Sequence, residues 1–365
     1  MRRALLSCIF SVLAIFTAST LFAQRDRFAY AITDLTKDGS NWNALRKLDL
    51  QTGAYSTFLF DGTVQKTETY DAMSKKVIAA KTDAKYGTYL QAPFSTGVAA
   101  TAYDKKHNRL YFTPMFIDEL RYIDLKTMKL YTVTGKAFTG LGTMHNDEAK
   151  CVTRMVIAPD GTGYAITNDG NTFIKFTTGK NPTIIQMGAL VDDPANNGIS
   201  IHNRCSSFGG DMIADDRGNL YILSARNNVF KVSTDTKVAT YLGAISGLPS
   251  SFTVNGAVVD AEGSLLVSSA VDASAYYVVD SKSWKALPYP MGGEVLRSSD
   301  LANSNYLSVS TKTPTIETIA ARQPVHNNFI QIYPNPVVGR QFTLQFSKVP
   351  TGDYVLEVTD VMGRS

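Results

Sequence analysis

Cysteine, tryptophan and histidine are scarce in this 365-residue chain, with three, two and four copies. Three cysteines are too few for the disulfide framework of a small secreted scaffold. The histidines form no His-Glu-x-x-His pair, and the chain has no Gly-x-Ser-x-Gly elbow and no glycine-rich phosphate loop, so the local signatures of zinc proteases, serine hydrolases and nucleotide binders are missing. Charge of one sign is missing too. With 36 basic against 32 acidic residues and no Lys/Arg run, a nucleic-acid-binding surface is excluded. No long apolar run follows the first two dozen residues, and no convincing amphipathic helix occurs; Asp71–Ala80 comes nearest. At 44% hydrophobic and 19% charged residues, the chain is neither disordered nor a membrane protein throughout.

What is present is aromatic and turn-forming: 18 Tyr, 18 Phe and 26 Gly. These residues fall into a repeated unit, the signature of stacked or radial architectures. One half is a strand, a polar turn and a second strand. It reads ALRKLDLQTGAYS from Ala44 and ELRYIDLKTMKLY from Glu119, with looser copies from Thr172, Asn228 and Ala275. The other half precedes it, at Val98–Thr113, Val152–Thr167, Gly210–Ser224 and Val254–Ser268. There a strand of small apolar residues meets a turn and then an aromatic-aliphatic strand. Small residues suit strands that crowd a common axis. Four antiparallel strands per unit predict an all-β fold, a β-propeller, with six blades if Gly62–Gly97 or the C-terminal segment supplies the last. Two facing sheets are the competing arrangement. Phe28–Asp34 resembles a second strand, so the first blade lacks its innermost one. Glu294–Ser310 is expected to supply it and so close the ring without an open edge.

Both ends of the chain read as addresses. Met1-Arg2-Arg3, the apolar run Ala4–Leu21 and Phe22-Ala23 have the order of a secretory signal peptide cut after Ala23. No transmembrane segment is expected after that cut. The domain reading is a signal peptide at 1–23, a propeller at 24–310, a linker at 311–327 and a small β-sandwich at 328–365. The last segment carries Tyr333-Pro334-Asn335-Pro336, the Phe342-Thr-Leu344 strand and a Val358-Thr-Asp360…Gly363-Arg364 ending. These motifs resemble the C-terminal sorting domain of the Bacteroidetes type IX secretion system. The resemblance implies passage through the periplasm, contact with the secretion machinery, removal of the tail, and release or attachment at the cell surface. It also implies a sorting domain that continues beyond what this sequence contains, so an incomplete one is expected here.

Chemistry is sought on the loops. Cys151 and Cys205 precede the inner strands of consecutive units, and in an oxidising compartment they predict a disulfide. With His145 and His202 they would instead make a tetrahedral zinc set. The long approaches Thr134–Lys150 and Gly188–Phe208 share one end with the turns between second and third strands. Asp169, Asn171, His202, Arg204, Asp211, Arg226 and Asn227 are therefore the candidate ligand-binding residues at a channel mouth. Asp192–Gly198 and Asp211…Asp215-Asp216 are the densest oxygen clusters, the places to look for Ca²⁺, although no cofactor is required. Trp42 offers sugar stacking or packing between blades. No catalytic residue is assigned. The expectation is a secreted or surface binding module for a glycan, peptide or protein. The alternative is a hydrolase or lyase acting on a polysaccharide or lactone at the channel mouth.

Overall fold

A computed structural model describes residues 25–63, 67–141, 146–289, 292–309, 330–333, 341 and 343–346. Its strands form five blades around one axis. Blade 1 contains β1 (Phe28–Thr33), β2 (Ala44–Asp49) and β3 (Phe60–Asp61). Blade 2 contains β4 (Thr69–Asp71), β5 (Val98–Asp104), β6 (Arg109–Pro114), β7 (Arg121–Asp124) and β8 (Lys129–Thr132). Blade 3 runs through β9 (Val152–Ile157), β10 (Thr162–Thr167), β11 (Phe173–Thr177) and β12 (Ile184–Gly188). Blade 4 has β13 (Val191–Asp192), β14 (Asp211–Ala214), β15 (Leu220–Leu223), β16 (Asn228–Val232) and β17 (Val238–Ala244). Blade 5 has β18 (Gly256–Val259), β19 (Leu265–Ser268), β20 (Tyr276–Asp280) and β21 (Lys285–Tyr289). The chain then returns to blade 1, where β22 (Ser298–Ala302) pairs antiparallel with β1 as its innermost strand. Closure therefore joins the early and late segments expected to meet.

The side-chain pattern explains the radial arrangement. Along β15, Leu220 and Ile222 face blade 3, whereas Tyr221 and Leu223 face blade 5. A period of two with apolar residues on both faces fits a sheet covered on both sides. Five hydrophobic cores result, one between each pair of consecutive blades, including one that joins blade 5 to blade 1 through Val258, Leu266, Ala29 and Ala31. Five interfaces among five sheets make a closed ring. Two facing layers would give one core, not five. The inner strands β22, β5, β9, β14 and β18 lie side by side around the axis.

The sixth blade is not found. Of the described residues of Gly62–Gly97, only Thr69–Asp71 becomes a strand, and it pairs parallel with β8 as a fifth, outer strand of blade 2. The rest of the described insertion is turns, with no helix at Asp71–Ala80. Tyr89, Leu90 and Phe94 bury against blade 2, and the fully buried Arg121 donates to the Tyr89 carbonyl (3.1 Å) while ion-paired to Glu119 (2.8 Å). The insertion thus patches a blade instead of making one. Nor do the described residues of the C-terminal segment supply a sixth: β23 (Ile330–Tyr333) and β24 (Thr343–Phe346) form an antiparallel pair of their own. Residues 1–24, the linker, and Pro334, Asn335, Pro336, Gly363 and Arg364 lie outside the described residues. Among the described residues no helix is long and apolar enough to cross a membrane.

Both tryptophans serve packing. Trp284 is buried between blades 4 and 5 beside Tyr221, with ring centroids 6.5 Å apart, and Trp42 packs on the core between blades 1 and 2.

Candidate binding cleft

Antiparallel order puts two kinds of connection at each end of the ring. The loops from second to third strands and from one blade to the next share one end. The turns from first to second and third to fourth strands share the other. Every residue expected to form a ligand site belongs to the first end or to the channel, and there most of the buried polar groups are already committed.

Asp169 accepts the Thr167 hydroxyl (2.6 Å) and both the backbone N–H and side-chain amide of Asn171 (3.0 and 2.9 Å). That is an Asx turn, with the carboxylate saturated by its own loop. His202 joins this group: its Nδ1 lies 2.6 Å from the Asp169 carbonyl and its Nε2 3.2 Å from that of Leu190. Both nitrogens are thus engaged by backbone. Arg204 is exposed and reaches only Glu148, at 3.3 Å. Arg226 is exposed at a turn tip, and Asn227, at φ 65°, donates to the Phe252 carbonyl at 3.2 Å. Asp211 is not on the loop face; it is fully buried in the channel. The structure brings Asp169, Asn171 and His202 together as a knot of loop hydrogen bonds, and it leaves Arg204, Asp211, Arg226 and Asn227 apart from them.

The expected disulfide is absent as well. Both thiols are free. Cys151 is buried immediately before β9, where burial pushes its thiol up to about 11. Cys205 is exposed on the short helix Arg204–Ser207, whose first N–H groups are capped by Asn203. Of the zinc alternative, His145 lies outside the described residues and His202 is turned to carbonyls. The acidic clusters have the wrong surroundings for calcium. Asp192 accepts Ile201 N–H and the Ser200 hydroxyl, Asp193 accepts Ala195 N–H and the Thr240 hydroxyl, and Asp215 accepts from Arg217, Asn219 and Tyr221. Carboxylates ringed by donors are turn caps, whereas a cation cage needs oxygens turned to one point. No group of three or more metal-ligating side chains occurs among the described residues.

A cavity of about 750 Å³ opens at the other end. Its walls are the β5–β6 turn, the β9–β10 turn and Thr177–Gly179, and its floor is Ser304–Tyr306. That floor exists because of how the ring closes. Beyond β22 the chain crosses the channel mouth: Asn303 and Asn305 donate to the Val259 carbonyl of blade 5 (both 2.8 Å), Tyr306 Oη to the Ala158 carbonyl of blade 3 (3.3 Å), and Leu307 N–H to Ala214 of blade 4 (3.0 Å). Asn305 also clasps both backbone groups of Asp26, at 2.8 and 2.7 Å. The strap seals the axis and leaves the cleft beside it.

The β5–β6 turn supplies the chemistry. Asp104, at the end of β5 and 2% exposed, caps the turn by accepting His107 N–H at 3.2 Å. Its other oxygen lies 2.6 Å from His107 Nδ1. Asn108 at φ 52° completes the tight reversal. A buried carboxylate on Nδ1 fixes that nitrogen as the N–H, leaving Nε2 to accept a proton or ligand hydrogen bond. Lys106 and Arg25 add cationic groups, Asp160 an anionic one, and Tyr103 and Tyr306 aromatic rings. Lys105 is held by Asp26 (2.8 Å). Burial raises the Tyr103 and Tyr306 hydroxyls to about 12 each, so both are neutral donors at any physiological pH. The mixed lining suits a polar ligand with donors, acceptors and a face for stacking. Sequence reasoning did not single out His107, which sits in the lysine-rich turn Lys105-Lys106-His107. The available signal was its position three residues after a turn-capping aspartate.

No family model matches the chain, and no curated protein matches it. Solved structures resemble it distantly. An extracellular domain assigned to a hybrid two-component system of B. thetaiotaomicron is 12% identical, with 71% of this chain covered and a TM-score of 0.33; the match spans only 27% of that longer chain. A protein of unknown function from Bacteroides caccae is 11% identical over 71% of each chain, with a TM-score of 0.36. Virginiamycin B lyase from Staphylococcus aureus is 10% identical over 76% of this chain and 75% of its own, with a TM-score of 0.38. At these values none of the likenesses says what this chain binds.

Proposed function

We propose that the chain is an exported β-propeller binding module that holds a polar segment of a glycan, peptide or protein in the cleft beside the Asn303–Ser308 strap. The carrying observation is the cleft itself: a cavity of about 750 Å³ on a closed, rigid ring, lined by His107, Lys106, Arg25 and two tyrosines. Rigid scaffolds with a few convergent polar groups are the usual form of a binding site. Support for export is the charged-then-apolar leader and the Tyr333-Pro-Asn-Pro336 tail with its Gly363-Arg364 ending, which resemble a signal peptide and a type IX sorting domain. On this reading the protein reaches the outer surface or the medium through the periplasm, with the secretion machinery as its first partner.

A glycan and peptide array probed with the full chain and with Tyr306→Ala tests the binding reading. Signals that weaken at least tenfold in the variant support it. Signals that survive there and vanish in Arg204→Ala would return the site to the long-loop end.

One observation favours a second reading as an enzyme. The Asp104–His107 pair is a carboxylate-oriented imidazole with a free Nε2, the arrangement of a general base in hydrolysis or elimination. Turnover of a polysaccharide or lactone that disappears in His107→Gln while binding persists would establish it.

A further inference from the structure

Two fully buried carboxyls meet inside the channel, one from Asp211 on β14 and one from Asp300 on β22. These strands belong to blades 4 and 1, which are not neighbours, so the contact crosses the axis. We propose that Asp211 and Asp300 share a single proton, carried on Oδ2 of Asp300, and that this carboxyl–carboxylate hydrogen bond ties the closing strand to the far side of the ring.

The donors around the pair place the proton. Asp211 accepts N–H groups from Met212 (2.6 Å), Ala257 (2.6 Å) and Leu301. An oxygen set so filled with donors is that of an anion. Asp300 Oδ1 accepts the Thr101 hydroxyl. The Thr101 N–H also reaches this carboxyl, which lies against that of Asp211. Asp300 Oδ2 is buried with no N–H or hydroxyl partner. It is the one oxygen of the four with nothing to accept, and a proton there converts an orphan into a donor to Asp211. Leaving it unprotonated would bury an uncompensated charge and an unsatisfied atom together.

The surrounding charges agree. The cation facing the pair is Arg154 on β9, which is fully buried and donates only to the carbonyls of Thr167, Asn168, Ser207 and Gly209. It has no carboxylate in contact. From β5 Thr101 meets the pair through its hydroxyl and N–H, and from β18 Ala257 meets it through its N–H. The charge of Arg154 acts on Asp169 and then on Asp211, which favours keeping the pair's single negative charge on Asp211. Burial pushes both carboxyls well above the ordinary range, in keeping with a pair that cannot ionise twice.

The consequence is a pH-dependent tie. A carboxyl that keeps its proton when folded and loses it when unfolded makes stability fall as pH rises from the unfolded value, about 3.9, to the folded one. Asp300→Asn supplies a permanent N–H in the same position. Its folding constant relative to the wild type should therefore rise about tenfold per pH unit across that window, the slope for one proton. Urea denaturation of the full chain and of the variant at several pH values reads this ratio, and other groups cancel in it. Infrared spectra at pH 7 should show the carbonyl stretch of a protonated carboxyl in the wild type, absent in the variant. A ratio that does not change with pH, or a wild type without that band, overturns the proposal. So would a midpoint raised by calcium in the wild type and not in the variant, since a cation would then hold the pair. Should the variant fail to fold, the wild-type band decides, together with proton release on unfolding at pH 7: one proton is expected, and none would reject the idea.

Discussion

The two ends of the ring are built from the same repeat and reach opposite outcomes. One carries the long connections, including Gly188–Phe208, and the other carries mainly four- and five-residue turns. Sequence logic favours the long loops as a site. In the structure they satisfy one another instead: Asp192 caps Ile201, His202 spans two carbonyls, Asn168 Oδ1 accepts the Gly209 N–H, and Arg154 gathers carbonyls beneath them. A long loop must pair its own backbone groups, and doing so consumes the side chains that would face a ligand. Short turns have fewer such needs. Where Asn303–Ser308 crosses their end as a strap, a gap remains open among the described residues. Length of loop is therefore a poor guide to position of site in this fold.

Arg154 offers the hardest test of that contrast. It lies under the long-loop end with no exposed surface, and burial lowers its guanidinium to about 10, still charged at neutral pH. Arg154→Met strips donors from four carbonyls at once and leaves the shared charge of Asp211 uncompensated, a loss of about 3–5 kcal/mol. Urea denaturation measures it. At the strap end the corresponding residue is Asn305, whose removal in Asn305→Ala orphans the Asp26 backbone and one bond to Val259, at about 2–3 kcal/mol. A larger effect at the strap than at Arg154 would mean that closure, and not the long loops, carries the stability of the ring.

The blades themselves were legible because alternation survives in every copy. VAATAYDKKHNRLYFT and VTRMVIAPDGTGYAIT fold as the expected hairpins β5–β6 and β9–β10, and Phe28–Thr33 takes its inner partner from Ser298–Ala302. Blade number was not legible. Gly62–Gly97 is as long as a blade, but its pattern breaks at Gly62 and Pro93, and it docks through the buried Arg121 in place of forming hairpins. Asp211 was misplaced for another reason. As the first residue after Gly210 it was expected at the channel mouth, whereas its carboxyl is fully buried and accepts the Ala257 N–H of the next inner strand. The cleft was hidden because its floor comes from residues some two hundred positions after its wall, a juxtaposition that only ring closure creates.

Ligand binding sharpens the same comparison at smaller energies. Tyr306→Ala and Lys106→Glu should each weaken binding about tenfold, near 1.4 kcal/mol, with the urea midpoint of Lys106→Glu unchanged because that side chain is exposed. Asn171→Ala and Arg204→Ala at the opposite end should change affinity less than twofold. Isothermal titration against the strongest array ligand separates the two. Equal losses at both ends would mean that the ligand wraps the rim instead of occupying the cleft.

Acid titration gives the smallest expected effect and separates the ends by sign. Asp34 belongs to the long-loop end, where it follows β1. Burial alone would raise its carboxyl, but Thr36 N–H (2.8 Å), Asn41 N–H (2.7 Å) and the Thr36 hydroxyl (3.1 Å) outweigh burial and hold it below the usual range. Such a group contributes stability above its unfolded value, about 3.9, and loses it as pH falls through the folded value. Asp34→Asn should thus cost roughly 1 kcal/mol at pH 7 and progressively less below pH 4. The Asp211–Asp300 pair runs the other way, since its contribution declines as pH rises. Urea midpoints of both variants should therefore part from the wild type as pH rises, Asp34→Asn falling below it and Asp300→Asn climbing above it. A deficit in Asp34→Asn that stays constant from pH 7 to pH 3 would show that Asp34 acts through shape, by seating Gly39 against its carboxyl, and not through its charge.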